Sequence, residues 1–136
     1  MNYSDIKIGD KATIEKTFTK EDVIEFSKLS LDTNPIHLDS EYAKNSIFKE
    51  NIVHGLLVSS LISAVLANKL PGTGTIYMSQ ELKFLKPVYF NDNCIASVEV
   101  VEKKDAKNII ILNTTVCTNS TDNVVITGQA VVKKPE

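Results

Sequence analysis

Apolar positions recur along this chain with two periods, and the change from one to the other divides it. Near the start, Ala12, Ile14 and Phe18 share one parity, interrupted by Lys16, which predicts a first strand. Thr19 can then cap a helix, with Glu21 and Asp22 placing negative charge in its first turn. Val23, Phe26 and Ser30 follow at helical spacing, so a helix of about ten residues is expected. Residues 32–37 interrupt it. Asp39 or Ser40 can cap a short helix through Ala43 and Ile47, and residues 48–53 read as a connector. Residues 55–70 are apolar nearly all round and stop at Pro71-Gly72, the pattern of a buried helix of about four turns.

Beyond that stop the period falls to two. Ile76, Met78, Leu82 and Phe84 share a parity, as do Cys94, Ala96, Val98 and Val100. Ile110, Leu112, Thr114 and Val116 make a third strand, and Val124, Ile126, Gly128, Ala130 and Val132 a fourth. Turn-forming runs at 87–93, 103–108 and 119–123 separate them. Four adjacent antiparallel strands and one apolar helix predict an α+β fold in which the sheet curls around the helix. Such a sheet keeps its edges. Pairing two copies edge to edge would cover one, so a homodimer is expected.

Composition limits the partners. The 136 residues, 43% hydrophobic and 24% charged, fit one domain over 1–136. Net charge is −2 and no lysine run exceeds two, so nucleic acid is not an expected partner. All fifteen basic residues are Lys, which leaves any phosphate to Lys, backbone N–H groups or a helix N-terminus. The opening Met1-Asn2-Tyr3-Ser4-Asp5 lacks the apolar core of a secretory signal. Residues 56–70, with Ser59, Ser60 and Ser63, are too short and polar for an ordinary transmembrane helix. A cytoplasmic location without membrane attachment is therefore expected. Cys94 and Cys117 stand in strand-like runs with no zinc-type spacing and read as reduced core thiols.

The chemistry concentrates in Asp32-Thr33-Asn34-Pro35-Ile36-His37, with His54-Gly55 seventeen residues later. Proline fixes its own φ and disfavours the α conformation at Asn34, so Asp32 and His37 are expected to flank a bent, non-helical segment. That bend can aim both at one volume. A carboxylate and an imidazole there form an acid/base pair usable near neutral pH, since free imidazole titrates at about 6.5. The plainer reading is a side-chain-to-backbone turn and a solvated loop His.

These residues resemble the hydratase signature of the MaoC-like (R)-specific enoyl-CoA hydratases, hot-dog proteins with a D-x-N-P-x-H motif. The likeness includes Ala43 and extends through 52–56, 70–72, Tyr77, Phe84, Pro87-Val88 and 128–132. It implies reversible syn addition of water to a (2E)-enoyl-CoA, giving the (3R)-3-hydroxyacyl-CoA. Asp32 and His37 are implied as a coupled pair holding the water and moving its protons. Asn34 and Ser63 are implied as supporting residues. Gly55 would meet the thioester oxygen, because it opens a helix with unpaired N–H groups; its other reading is tight packing. Positions 55, 59, 63 and 66 form one stripe, so Ser63 would face the reaction cavity two turns deeper, or else bond a carbonyl one turn back. Leu66 and Val131 are expected to close the acyl pocket around short chains of about four to six carbons.

His54 could cap the helix or touch substrate and is not expected to carry protons. No cofactor or metal is implied, coenzyme A being part of the substrate. Leu31 stands where the family often has Gly. Leu does not enter φ > 0 cheaply, so a loop of different shape is expected there. The alternatives are a dehydratase of acyl-carrier-protein thioesters, a hot-dog thioesterase and a non-catalytic acyl-binding subunit.

Overall fold

The computed structural model describes residues 1–135. A 3-10 turn at Tyr3–Asp5 leads into β1 (Lys11–Thr17). Three helices follow, α1 (Lys20–Ser30), α2 (Pro35–Leu38) and α3 (Ser40–Lys44), then the central α4 (Gly55–Asn68). Four strands complete the chain: β2 (Ile76–Phe84), β3 (Asn93–Lys104), β4 (Ile109–Thr118) and β5 (Val124–Lys133). All pair antiparallel in the order β1-β3-β4-β5-β2. This is the sheet-around-helix arrangement expected from the pattern, and the hot-dog fold that the resemblance implies, with α4 packed against β1, β2, β3 and β4.

Local chemistry explains the boundaries. Thr19 Oγ1 accepts the Asp22 N–H while Asp22 accepts the Thr19 N–H, a reciprocal cap that starts α1 where the sequence predicted. Asp39 caps α3 through the Glu41 and Tyr42 N–H groups. That helix ends at Lys44, short of Ile47, which is exposed. The core is a slab between α4 and the inner face of the sheet. Val58, Ile62, Val65 and Leu66 meet Cys94, Ala96, Val98, Ile110, Leu112, Val116, Ala130 and Val132 in one apolar cluster. Gly128 is required on β5, because a Cβ there would lie 1.8 Å from the Glu81 carbonyl oxygen of β2.

Two expectations change. Helix α4 is not buried all round: Leu56, Ser60, Ser63 and Ala67 form an exposed stripe, while Ser59 and Leu66 turn inward. The supposed stripe of 55, 59, 63 and 66 is thus divided, with Ser63 on its outer border. Strand β2 likewise exposes Ile76, Met78 and Phe84, leaving only Leu82 half-buried. It is an edge strand with a register shift between Tyr77 and Ser79, and parity alone does not reveal an edge.

The two thiols are free and buried. Cys94 lies opposite Thr118 and Cys117 opposite Ile95, so pleating puts their side chains on opposite faces of the sheet. Burial, with the Asp92 charge adding to it, pushes the Cys94 thiol up to about 11. Among the described residues no helix is long and apolar enough to cross a membrane.

Candidate active site

Helix α1 ends on Leu31, whose φ of 67° and ψ of 10° are left-handed. The loop does not avoid the conformation that glycine would take. It keeps that shape and makes Leu adopt it, with the side chain 82% exposed. The Asp32 N–H donates to Ser30 Oγ at 3.1 Å and the Asn34 N–H to Asp32 Oδ1 at 3.2 Å. Asn34 Oδ1 then accepts the Ile36 N–H at 3.2 Å, and Pro35 occupies the first position of α2. The expected non-helical bend is therefore corrected. Proline opens a helical turn as readily as it breaks one, since its missing N–H would be unpaired there, and His37 sits inside that turn.

The two histidines define the site. His37 Nδ1 lies 2.8 Å from the Ile52 carbonyl. A carbonyl only accepts, so Nδ1 carries the proton and Nε2 keeps a free lone pair. His54 Nε2 lies 3.1 Å from the Asp32 main-chain oxygen and 3.1 Å from Ser27 Oγ, which makes Nε2 the protonated nitrogen of that ring. The rings stack with centroids 3.8 Å apart and planes 23° from parallel, and Phe26 meets His54 edge-on at 4.9 Å. Burial lowers the His54 pKa. A charge on His37 acts in the same direction, and the Asp32 carbonyl bond opposes both. His54 Nδ1 is buried without a partner among the described residues.

Asp32, His37 and His54 each bring a donor atom within 4.8 Å of the others. That is a possible metal trio by distance. Its orientation does not suit one, because an imidazole binds a metal in the plane of its ring and these planes run face to face. The same spacing suits one water, which spans about 5 Å with two ordinary hydrogen bonds.

A cavity of about 570 Å³ joins Asp32, His37, His54 and Gly55 to an apolar wall that includes Phe26, Val58, Phe84 and Ile126. Gly55 begins α4, which has no side-chain cap. The Phe84 ring lies where a Gly55 Cβ would stand, 2.7 Å away, so the glycine makes room for that ring beside an open helix end. Ser63 lies elsewhere. It is exposed and lines a second hollow of about 340 Å³ with Ser59, Gln80 and Leu82. Leu66 is 1% exposed within the core, and Val131 is half-buried on β5. Phe26, Ser27 and the stacked position of His54 escaped the sequence reading. Only a helical projection of α1, placing 26 and 27 beside its C-terminal loop, could have hinted at them.

A family model described as MaoC like domain matches residues 5–122. The chain belongs to this MaoC-like family. It is 43% identical over 133 residues to the (R)-specific enoyl-CoA hydratase of Rhodospirillum rubrum, covering 98% of this chain and 91% of that one. The solved structure of an (R)-hydratase from A. caviae involved in PHA biosynthesis has a TM-score of 0.91 at 41% identity, covering 96% and 98%. A mitochondrial 3-hydroxyacyl-(acyl-carrier-protein) dehydratase from Solanum lycopersicum is 40% identical over 131 residues, covering 96% and 78%. The MaoC-like family and hot-dog fold implied by the D-x-N-P-x-H motif are thereby confirmed.

Leu31→Gly should stabilise this family member by about 0.5–1 kcal/mol in urea denaturation. Relief of the left-handed strain exceeds the added freedom of the unfolded chain, and the exposed Leu side chain loses little burial. Unchanged or lower stability would show the strain to be absent.

Proposed function

We propose that this MaoC-like chain, acting as one 1–136 domain, is an (R)-specific enoyl-CoA hydratase. The observation that carries the reading is the cavity that Asp32 and His37 line together with Gly55 at the start of α4, His37 Nε2 being left free by the bond at Nδ1. One water bridges the two side chains. Its oxygen bonds to C3 of the enoyl thioester, one of its protons passes through the Asp32–His37 pair to C2, and both additions occur on one face. The pair acts as a coupled unit. As C3 is attacked, charge grows on the thioester oxygen, and the first-turn N–H groups beginning at Gly55 stabilise it without reorganising. Asn34 supports the pair by locking the loop through its cap on Ile36. Hydration of an activated alkene requires no redox cofactor or metal, and the reading includes none.

The two hollows lie along one seam between α4 and β2, with Gly55 and Phe84 at one end and Ser63 and Leu82 further along. An acyl chain that displaces the half-exposed Phe84 ring runs toward Ser63, with Leu66 and Val131 limiting its length. The edge strand β2 exposes Ile76, Tyr77 and Met78 beside the open stripe of α4. A second copy covers this surface in a homodimer. The protein works in the cytoplasm. The acyl-carrier-protein dehydratase is the second reading, favoured by the plant relative and by the shared pantetheine arm.

Crotonyl-CoA absorbance decides the activity. Hydration to (3R)-hydroxybutyryl-CoA is expected, with kcat reduced about 100-fold or more in Asp32→Asn. Turnover only with carrier-protein thioesters would select the second reading, and released thiol would indicate a thioesterase. Leu66→Ala should move the preference toward longer chains, with selectivity changing about fourfold per methylene until the pocket ends. An unchanged chain-length profile removes Leu66 from the pocket. Light scattering should give twice the single-chain mass; the single-chain mass itself would refute the dimer.

A further inference from the structure

Both members of the acid/base pair are tied to the same short segment entering α4. Asp32 makes three hydrogen bonds. Two stay within two residues of it, to Ser30 and Asn34, and the third runs from His54 Nε2–H to its main-chain oxygen across 22 positions. His37 is fixed at Nδ1 by the Ile52 carbonyl and across its face by the His54 ring. His54 is gripped in turn by Ser27 Oγ and the Phe26 edge from α1.

We propose that His54, anchored by Ser27, is a positioning residue: its Nε2–H fixes the Asp32 main chain while its ring face sets the plane of His37. One imidazole thereby controls the distance between the two groups that share the water. This role rests on the hydratase reading of the site. It also requires His54 to remain neutral. A second proton would sit on Nδ1, buried without an acceptor and beside His37. The groups facing His54 are Phe26 and Ser27 from α1, Asp32 from the loop and His37 from α2. Its own helix contributes only Gly55, Leu56, Leu57 and Val58 in the following turn. Among the described residues no carboxylate side chain other than Asp32 is placed to draw that proton, and burial disfavours it. Proton movement is therefore left to Asp32 and His37.

Two substitutions separate the halves of the role. His54→Gln keeps an amide N–H near the Nε2 position but loses the flat face, and His54→Phe keeps the face but loses the donor. With crotonyl-CoA, His54→Phe should lose about 10- to 100-fold in kcat with KM within about twofold, because misplaced groups raise the barrier more than they weaken binding. His54→Gln should recover part of that loss. Ser27→Ala should lose about three- to tenfold while keeping its Tm, and it provides the kinetic test if His54→Phe fails to fold. Losses in kcat that merely track Tm, or a folded His54→Phe with normal kcat, would overturn the proposal.

A second arm needs no turnover. The chain has two histidines, so the proton resonance missing from His54→Gln identifies His54. That resonance should titrate below the ordinary imidazole midpoint in the native protein, or not titrate at all, because burial disfavours the charged ring. A midpoint near 6.5 would overturn the proposal. Wild-type protein inert toward enoyl thioesters would instead refute the hydratase reading, whatever the resonance does.

Discussion

The apolar contact between α4 and the sheet fixes the position of everything else in this molecule. Val58, Ile62, Val65 and Leu66 are at most 1% exposed, and a helix seated that firmly cannot rotate or slide without opening voids in a close-packed core. Its N-terminus therefore arrives at a fixed point beside the loop that carries Asp32 and His37. Gly55 comes with the helix itself, and His54 and Ile52 lie one and three residues before it. Burial that stabilises the fold also serves as the ruler for the site. The chemistry needs groups placed to within fractions of an ångström, and here it borrows that precision from packing.

The site in turn draws on the backbone for much of its order. Ser30, Asp32 and Asn34 each use a side-chain oxygen to hold the main-chain N–H two residues on. These bonds shape the loop before any distant contact forms. The imidazoles then connect it to the helix entrance. Each ring gives one N–H to a main-chain carbonyl, so His37 keeps the lone pair of Nε2 and His54 that of its buried Nδ1.

Much of this was legible in the chain. The switch from a period of 3.6 to a period of 2 locates α1, α3, α4 and the strands to within a few residues, because each element buries one face against one partner layer. The D-x-N-P-x-H motif and the His-Gly pair identified the family. Three things were hidden, each for a physical reason. Proline at 35 has the residue pattern of a breaker, although the same fixed φ suits the first position of a helical turn. Leu31 was expected to refuse the left-handed region, but tertiary context can impose about 1 kcal/mol of local strain. Ser63 was placed by helical spacing on the face of Gly55. In the fold the border between buried and exposed runs along α4 just inside it, a line that depends on how the sheet curls and is not written in spacing.

Sheet register has one more consequence, which concerns the two cysteines. Cys94 faces the core and Cys117 the opposite side, where its thiol is covered by the turn after β4 and donates to the Thr121 carbonyl. Burial raises both thiols, so at neutral pH each stays protonated and is a poor nucleophile. The sheet itself keeps them from reaching one another. Oxidants thus find neither a reactive thiolate nor a pair to cross-link, and nothing in the fold depends on a reducing environment. The two cysteines, which read from the sequence as reduced core thiols, are thus compatible with either redox condition.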